Sequence, residues 1–179
     1  MPYRTKTYIA ADWDHDHDAV EKLYEWNSRK DLKLNFTDAH DLQQSRDSSL
    51  RCSIKNSLQD RLNASKTFVL IVGNHTKTLT KGRCSECDSC QKTLYGNYQC
   101  KRGRSIDQRS YIEFECEQAV KSFQNGEIKK LVILYNSSKV EKWKCPDCIK
   151  HEKFTHVAMK KSGEWDYPAV RDALMKKQN

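Results

Sequence analysis

The run TFVLIV at residues 67–72 limits the possible folds more than any other segment, because every residue after the first is apolar. A strand that is apolar on both faces has to be covered on both faces, which is the usual situation of strands in parallel α/β sheets. Gly73 and Asn74 follow the run directly and are typical turn residues. The chain is therefore expected to build a sheet with helices packed on each side.

Other apolar runs of strand length alternate with segments that show helical periodicity. The predicted strands are residues 7–11 (TYIAA), 32–36 (LKLNF), 67–72, 131–135 (LVILY) and 155–159 (THVAM). Helices are predicted after Asp14 or Asp16, over residues 48–63 and 110–125, and from about Pro168. The pattern predicts an α/β, flavodoxin-like, doubly wound parallel sheet of about five strands. The expected order, 2-1-3-4-5, places ligands at the carboxyl ends of the strands.

A length of 179 residues fits one domain, which we place at residues 1–179. Two segments interrupt the alternation of strands and helices: a Cys-rich insertion at residues 75–109 and a loop with a CxxC motif at residues 136–153. No apolar run approaches the roughly 20 residues that a membrane-spanning helix needs, and the first residues lack the apolar core of a signal peptide. We therefore expect a cytoplasmic protein with no membrane partner.

The charge is basic overall and unevenly distributed. The formal net charge is +8, whereas residues 1–48 hold ten acids and seven bases, net −3. A basic half raises nucleic acid as a partner, but no interleaving of Arg with aromatic residues marks a binding face, so a solvated surface is favoured. A basic zinc-loop protein that binds nucleic acid is kept as a third hypothesis, and it predicts salt-sensitive retention on DNA or RNA.

Four of the eight cysteines stand in two CxxC pairs. In a reducing compartment such pairs indicate metal ligation or buried thiols rather than disulfides. Cys84 and Cys87 form one pair, and Cys145 and Cys148 form the other. Because the loops that carry them follow neighbouring strands, both are expected at the same end of a parallel sheet. The four thiolates are predicted to share one structural zinc.

The sequence leaves other arrangements of metal ligands open. Cys90 and Cys100 could complete a local four-cysteine site with the first pair, which would leave the second pair and His151 as a partial site. Reduced, unligated thiols are a further alternative. The segment DWDHDHD at residues 12–18 also offers metal ligands, but its two His point to different sides of a helix, and its Asp residues suit a helix cap.

Three segments carry a recognisable pattern: SLQDRLNASKTFVLIVGNHTKT (57–78), YIEFECEQAV (111–120) and KKLVILYN (129–136). They read as a helix, an apolar strand ending in a Gly with a polar turn and a Thr, and a helix that opens with an aromatic residue and has a Glu four positions later. In this pattern the chain resembles the TIR-like family that includes the sensor proteins of bacterial Thoeris antiphage systems. It departs from the family in having Tyr111 for the usual Trp, Ala10 or Ala11 for the common Ser, and the Cys-rich insertion.

The resemblance implies an enzyme that cleaves the bond between nicotinamide and ribose in NAD, its substrate. The product would be an ADP-ribose-derived signal to a separate effector protein in antiphage defence. Glu115 is predicted to be the catalytic residue, because a carboxylate held against the ribose stabilises the positive charge that develops there. The residues predicted to bind the nucleotide are Asp12, Trp13, Asp38, Asn74 and Tyr111, with the amino end of the helix beside the pyrophosphate.

Two simpler interpretations remain open beside these predictions. On spacing alone Glu115 is an exposed helix acid between Glu113 and Glu117. The whole chain can also be a non-catalytic TIR-like sensor or interaction module that uses its zinc-pinned loops as a contact surface. A homo-oligomer is compatible with either function.

Overall fold

A four-stranded parallel sheet organises the structure, a computed structural model that describes residues 4–39 and 50–176. The helices in this part of the chain are α1 (His17–Ser28), α2 (Arg51–Asn63), α3 (Tyr111–Gln124) and α4 (Tyr167–Met175). The strands are β1 (Lys6–Ala10), β2 (Ser65–Val72), β3 (Cys90–Lys92), β4 (Tyr98–Cys100), β5 (Lys130–Tyr135), β6 (Thr155–Ala158), β7 (Lys160–Lys161) and β8 (Glu164–Trp165).

The main sheet has the order β1-β2-β5-β6, and all its neighbouring strands are parallel. Val69 at the centre of β2 lies opposite Ile9 on one side and Val132 on the other. Short antiparallel hairpins, β3-β4 and β7-β8, stand apart from this sheet. The predicted α/β, flavodoxin-like class with a Cys-rich insertion is confirmed, and four of the five predicted strands are present with ends shifted by one or two residues.

The predicted second strand, residues 32–36, is wrong as a strand. The chain there makes a single parallel bridge between Asp38 and Thr7, and the Thr7 N–H donates to the Thr37 carbonyl at 2.8 Å. Asn35 has φ 55°, in the left-handed region, which interrupts the extended backbone that a ladder requires. The segment still lies beside β1 on the expected side, so a single β-bridge is found where a whole strand was predicted.

Two apolar layers cover the sheet, one on each face. Successive side chains of a strand point to opposite faces, so Ile9 and Val69 pack with α1 and α4, whereas Tyr8 and Phe68 pack with α2 and α3. Cys116 is fully buried in the layer of α2 and α3, as expected for a small apolar side chain inside a helix. The core therefore fixes which side chains of β1 can reach each helix.

The ends of α3 and α4 follow their sequences closely. Ser110 accepts a hydrogen bond from the Glu113 N–H, and Glu113 accepts one from the Ser110 N–H, which together form a capping box at the start of α3. Asp166 caps α4 by accepting from the Ala169 N–H at 3.1 Å, with a proline in the first turn. A capped start fixes where α3 enters the structure, and this position matters for the site.

The helix predicted over residues 48–63 begins at Arg51, and residues 48 and 49 lie outside the described residues. Of its predicted inner face, Leu62 is fully buried, whereas Ile54 and Leu58 are only half-buried and border a cavity. None of the four helices in the described residues combines the length and the apolar character needed to cross a bilayer.

Candidate functional site

A cavity of about 870 Å³ opens beside β1, at the carboxyl end of the parallel sheet. Small-molecule sites have volumes of about 300–1,000 Å³. The walls come from the segment after β1, from residues 36–38, from α2 and from the first turns of α3. The charged residues that line it are Asp12, Asp14, Asp38, Arg51, Arg61, Lys81 and Glu115. Both signs of charge therefore meet in one cavity.

Glu115 lies in this cavity on the inner side of α3 and is only 6% exposed. The Tyr8 hydroxyl, reaching up from β1, donates a hydrogen bond to Glu115 Oε1. Burial, reinforced by the nearby negative charge of Glu115, raises the pKa of Tyr8 well above its ordinary value. The hydroxyl thus stays protonated and remains a donor to the carboxylate.

The neighbouring acids of α3 have other partners. Glu113 completes the capping box with Ser110, and Glu117 forms an ion pair with Arg109 at 2.7 Å. Glu115 is the one of the three that is buried against the sheet and the cavity. Glu115 is therefore not an ordinary exposed acid on a helix.

Tyr111 lines the cavity at the first residue of α3, and its N–H donates to the Lys81 carbonyl at 2.9 Å. Its hydroxyl is buried without a hydrogen-bond partner of good geometry among the described residues, while the guanidinium of Arg51 lies beside it. The ring packs against Gly82, where an added Cβ would come within 2.6 Å of it. Gly82 also has φ +106°, which favours glycine, so this contact is specified twice.

The predicted rim residues Asp12, Trp13 and Asp38 also line the cavity. Asp12 is 5% exposed and holds His15 Nδ1 at 2.7 Å from its Oδ2. Asp38 accepts a hydrogen bond from the Tyr24 hydroxyl. The indole of Trp13 lines the cavity and is 41% exposed.

Asn74 is not brought to the cavity. It is exposed just beyond β2, and its Oδ1 accepts a hydrogen bond from Lys144 Nζ at 2.7 Å. Its partner Lys144 belongs to the loop at residues 136–153 and does not line the cavity. We therefore correct its place among the predicted nucleotide-binding residues.

Three cations were missed by the sequence reasoning: Arg51, Arg61 and Lys81. Arg51 and Arg61 lie on α2 with Ile54 and Leu58 at spacings of three and four, so one helix face carries all four residues. That face was interpreted as wholly buried because its apolar residues recur regularly. The flanking arginines were the available signal that it borders a polar cavity instead.

The amino end of α3 offers less to a bound anion than expected. The Tyr111 N–H is bonded to Lys81, and the Glu113 N–H is bonded to the Ser110 side chain at 3.2 Å. Backbone donors that already have partners are poor phosphate ligands. The cationic side chains are the better candidates to hold a pyrophosphate.

The structure gives the two CxxC pairs different neighbours. Cys84 and Cys87 lie with the β3-β4 hairpin, whereas Cys145 is buried against the Tyr135 hydroxyl at 3.1 Å. Cys148 hydrogen-bonds with Cys116 of α3. In residues 4–39 and 50–176, no group of three or more His, Cys, Asp and Glu side chains is placed to hold a metal ion. The predicted zinc site shared by the two loops is therefore not assembled.

The acidic segment after β1 likewise forms contacts within the protein. His15 pairs with Asp12 and lies 4.3 Å from the ring of His75, whereas His17 pairs with Glu21 at 3.5 Å. The two His thus serve different partners, but they do not share a helix, because His15 lies in the turn before α1 and His17 is its first residue. Asp16 occupies the N-cap position of α1 without a capping bond from its side chain.

Residues 8–81 match a protein-family model described as Thoeris protein ThsB, TIR-like domain. The match begins in β1 and ends at Lys81 on the cavity wall, so it includes Asp12, Trp13 and Asp38 but stops before α3 and Glu115. The resemblance inferred from the sequence is confirmed over this range. No curated protein matches the chain.

Proposed function

Because residues 8–81 match the TIR-like domain of Thoeris protein ThsB, we propose that this chain acts in antiphage defence signalling by cleaving NAD. The observation that supports catalysis is the placement of Glu115, a buried carboxylate held by Tyr8 in a cavity that also contains cations. A dinucleotide needs both features, since its phosphates are anionic and its scissile ribose becomes cationic.

The reaction breaks the bond between the ribose C1′ and the nicotinamide nitrogen. The bonding electron pair leaves with nicotinamide, which becomes neutral, and positive charge develops on the ribose. The Glu115 carboxylate stabilises that charge more as it grows than in the ground state. Water, or a nucleophile within the remaining ADP-ribose, then bonds to C1′ and releases one proton.

The cations suit the pyrophosphate. Arg51 comes from α2 and Lys81 from the segment before α3, and both lie near Tyr111. Lys81 is about two-thirds exposed and pairs with Asp14 at 3.2 Å, so it can exchange that carboxylate for a phosphate at small cost. Arg51 offers the planar fork that binds phosphate oxygens in pairs.

The remaining polar and aromatic lining residues suit the ribose and base ends. Asp38 and Asp12 are carboxylates at the carboxyl end of β1 or beside it, where they can accept hydrogen bonds from ribose hydroxyls. Trp13 and Tyr111 provide aromatic faces at the opening and at the start of α3. The cavity therefore contains side chains suited to the bases, the ribose hydroxyls and the phosphates of a dinucleotide.

The test is NAD consumption by the purified chain, followed by chromatography, with and without extract from phage-infected cells. The Glu115→Gln variant is expected to lose activity by about 100-fold or more, because a charge-stabilising group is removed from the transition state. Glu117→Gln is the matched control, since this acid lies on the same helix and pairs with Arg109 outside the cavity. It should keep activity close to that of the natural chain.

Two results would contradict the proposal. Equal turnover by the natural chain and Glu115→Gln would remove Glu115 from the mechanism. No loss of NAD under any condition, including the infected extract, would favour a non-catalytic sensor module instead.

A further inference from the structure

The four cysteines of the insertion lie together in a short knuckle and hairpin. The Cys87 N–H donates to the Cys84 carbonyl at 3.1 Å, and the Cys90 N–H donates to the Cys87 carbonyl at 2.8 Å. Cys90 and Cys100 are direct partners across the β3-β4 ladder. The Cys90 thiol also hydrogen-bonds with Cys87, and the Cys100 thiol with Cys90.

We propose that Cys84, Cys87, Cys90 and Cys100 bind one structural Zn²⁺ as four thiolates. This site lies wholly within the insertion and goes beyond the proposed cleavage of NAD, on which it does not depend. It also replaces the ligand set expected from the two CxxC pairs, because Cys145 and Cys148 are engaged with Tyr135 and Cys116 elsewhere.

Backbone donors around the sulfurs provide a second observation. The Asp107 N–H donates to Cys84 Sγ at 3.2 Å, and the N–H groups of Arg102 and Arg104 donate to the Cys100 sulfur. Hydrogen bonds of this kind orient metal-bound ligands and stabilise the charge on thiolate sulfur. Neutral thiols packed in a core have no need of three backbone donors.

The charges nearby fit the same ion. Zinc with four thiolates carries a net charge of −2. The segment that returns from the hairpin contains Lys101, Arg102 and Arg104, and Arg83 directly precedes Cys84. These four cations next to the cluster would offset the negative charge of the filled site.

The cluster is open as it stands, since no three of its side chains are yet placed around an ion. A tetrahedral zinc holds its sulfurs at about 2.3 Å, which puts neighbouring sulfurs about 3.8 Å apart. Directly opposed residues of an antiparallel ladder have Cα atoms about 4.5–5.5 Å apart. Cys90 and Cys100 are such a pair, and the hydrogen bonds among the thiols of Cys87, Cys90 and Cys100 already bring those sulfurs close to one another on the folded backbone.

The ion would anchor the insertion to the cavity wall. Cys84 is joined to Asp107 by its own N–H at 3.0 Å as well as by its sulfur. Lys55 of α2 holds the same segment, with its Nζ 3.2 Å from Asp107 Oδ2 and 2.6 Å from the Arg109 carbonyl. Filling the site would therefore stiffen the base from which Lys81 and Tyr111 enter the cavity.

The test measures metal content of the full chain purified under reducing conditions. Elemental analysis is expected to give about one zinc per chain, and X-ray absorption at the zinc edge should show about four sulfur ligands at about 2.3 Å. Replacement by Co²⁺ should give the intense near-ultraviolet sulfur-to-metal absorption of a thiolate site. A chain without bound zinc, or one with nitrogen ligands, would overturn the proposal.

Variants locate the ligands. Cys90→Ser with Cys100→Ser is expected to lose the zinc, whereas Cys145→Ser with Cys148→Ser should retain it; the reverse result would restore the shared site and overturn this one. If the first pair fails to fold, mapping of thiol alkylation in the natural chain decides. Chelation should then expose Cys84, Cys87, Cys90 and Cys100 together, and an unchanged pattern would contradict their ligation.

Discussion

A single hydroxyl sets the surroundings of Glu115. Tyr8 is fully buried in β1, donates to Glu115 Oε1, and stacks on Phe68 with ring centroids 5.7 Å apart. Its ring therefore belongs to the core and its oxygen to the site. Replacing the oxygen alone separates the two roles.

In Tyr8→Phe we expect kcat for NAD cleavage to fall by about 10-fold, with KM little changed, because Tyr8 positions Glu115 and does not line the cavity. The acid limb of the pH–rate profile should also move to higher pH, since the ionised carboxylate loses a donor that favours it. Steady-state kinetics over pH 4–8 measure both effects. A profile identical to that of the natural chain would show that the hydroxyl only packs.

At the residue scale, the sequence predicts the position of a side chain where the end of a strand or helix fixes it. The start of α3 at Ser110 and Tyr111 and the place of Asp12 after an apolar strand can be predicted in this way, whereas spacing alone describes Glu115 as an exposed helix acid and only the family resemblance singles it out. Arg61 was missed because its neighbours repeat like a buried face, whereas in the structure this face borders the cavity. Asn74 was misplaced because a strand end fixes the edge of the sheet but not which crevice along that edge holds the ligand.

At the scale of elements, Asp107 joins the returning arm of the insertion to α2. Partial burial alone would raise the pKa of Asp107, but hydrogen bonds from Arg109 and the charge of Lys55 lower it to about 2. A carboxylate whose pKa is depressed in the folded state stabilises the fold above its unfolded pKa and loses that effect as the pH falls. The relevant window runs from 3.8 down to about 2.

Asp107→Asn is expected to lower the free energy of unfolding at pH 7 by roughly 1 kcal/mol, a modest value because the carboxylate is partly solvent-exposed. The difference from the natural chain should shrink as the pH falls from 3.8 toward about 2. Urea unfolding at several pH values measures it. Glu164→Gln, at an exposed position of β8, is the control and should leave the free energy of unfolding almost unchanged. A difference between Asp107→Asn and the natural chain that stays constant with pH would contradict the ion pair.

Elements whose own residues specify them were predicted well. The five apolar residues after Thr67 require a buried strand, and Ser110 with Glu113 specifies a helix start. Residues 32–36 failed because their alternating pattern is also satisfied by an extended segment, and one left-handed residue at Asn35 is enough to prevent a ladder. A local sequence pattern predicts that the backbone is extended, but it does not predict which strand that backbone forms hydrogen bonds with.

For the whole molecule, the topology could be predicted because the alternation of strands and helices leaves few parallel arrangements. The path of the long loops could not. Both CxxC loops leave the same edge of the sheet, yet one folds into its own hairpin and the other packs against α3. Strand order constrains where such loops begin, whereas their contacts depend on side chains far away in sequence.

A ligand that fills the cavity should stabilise the folded chain as a whole. With Glu115→Gln, so that NAD is not consumed, NAD at ten times its Kd is expected to add about 1.4 kcal/mol and to raise Tm by about 3–5 °C. Arg51→Gln in the same background should lose most of this rise in Tm, because Arg51 lines the cavity. Arg171→Gln, at an exposed position of α4, should keep it. Differential scanning fluorimetry measures the shift, and equal shifts in both variants would move the nucleotide out of this cavity.

The insertion enters and leaves the fold through one narrow neck. The Tyr111 N–H donates a hydrogen bond to the Lys81 carbonyl, and the Cys84 N–H donates one to the Asp107 carbonyl. The Tyr111 ring occupies the space that a side chain at position 82 would need. The start of α3 is thus held by the neck as well as by its capping box, and the β3-β4 hairpin lies beyond the neck as an appendage of the main sheet. Relatives are expected to diverge in length and composition there while keeping the neck, so that one α/β frame can carry different appendages.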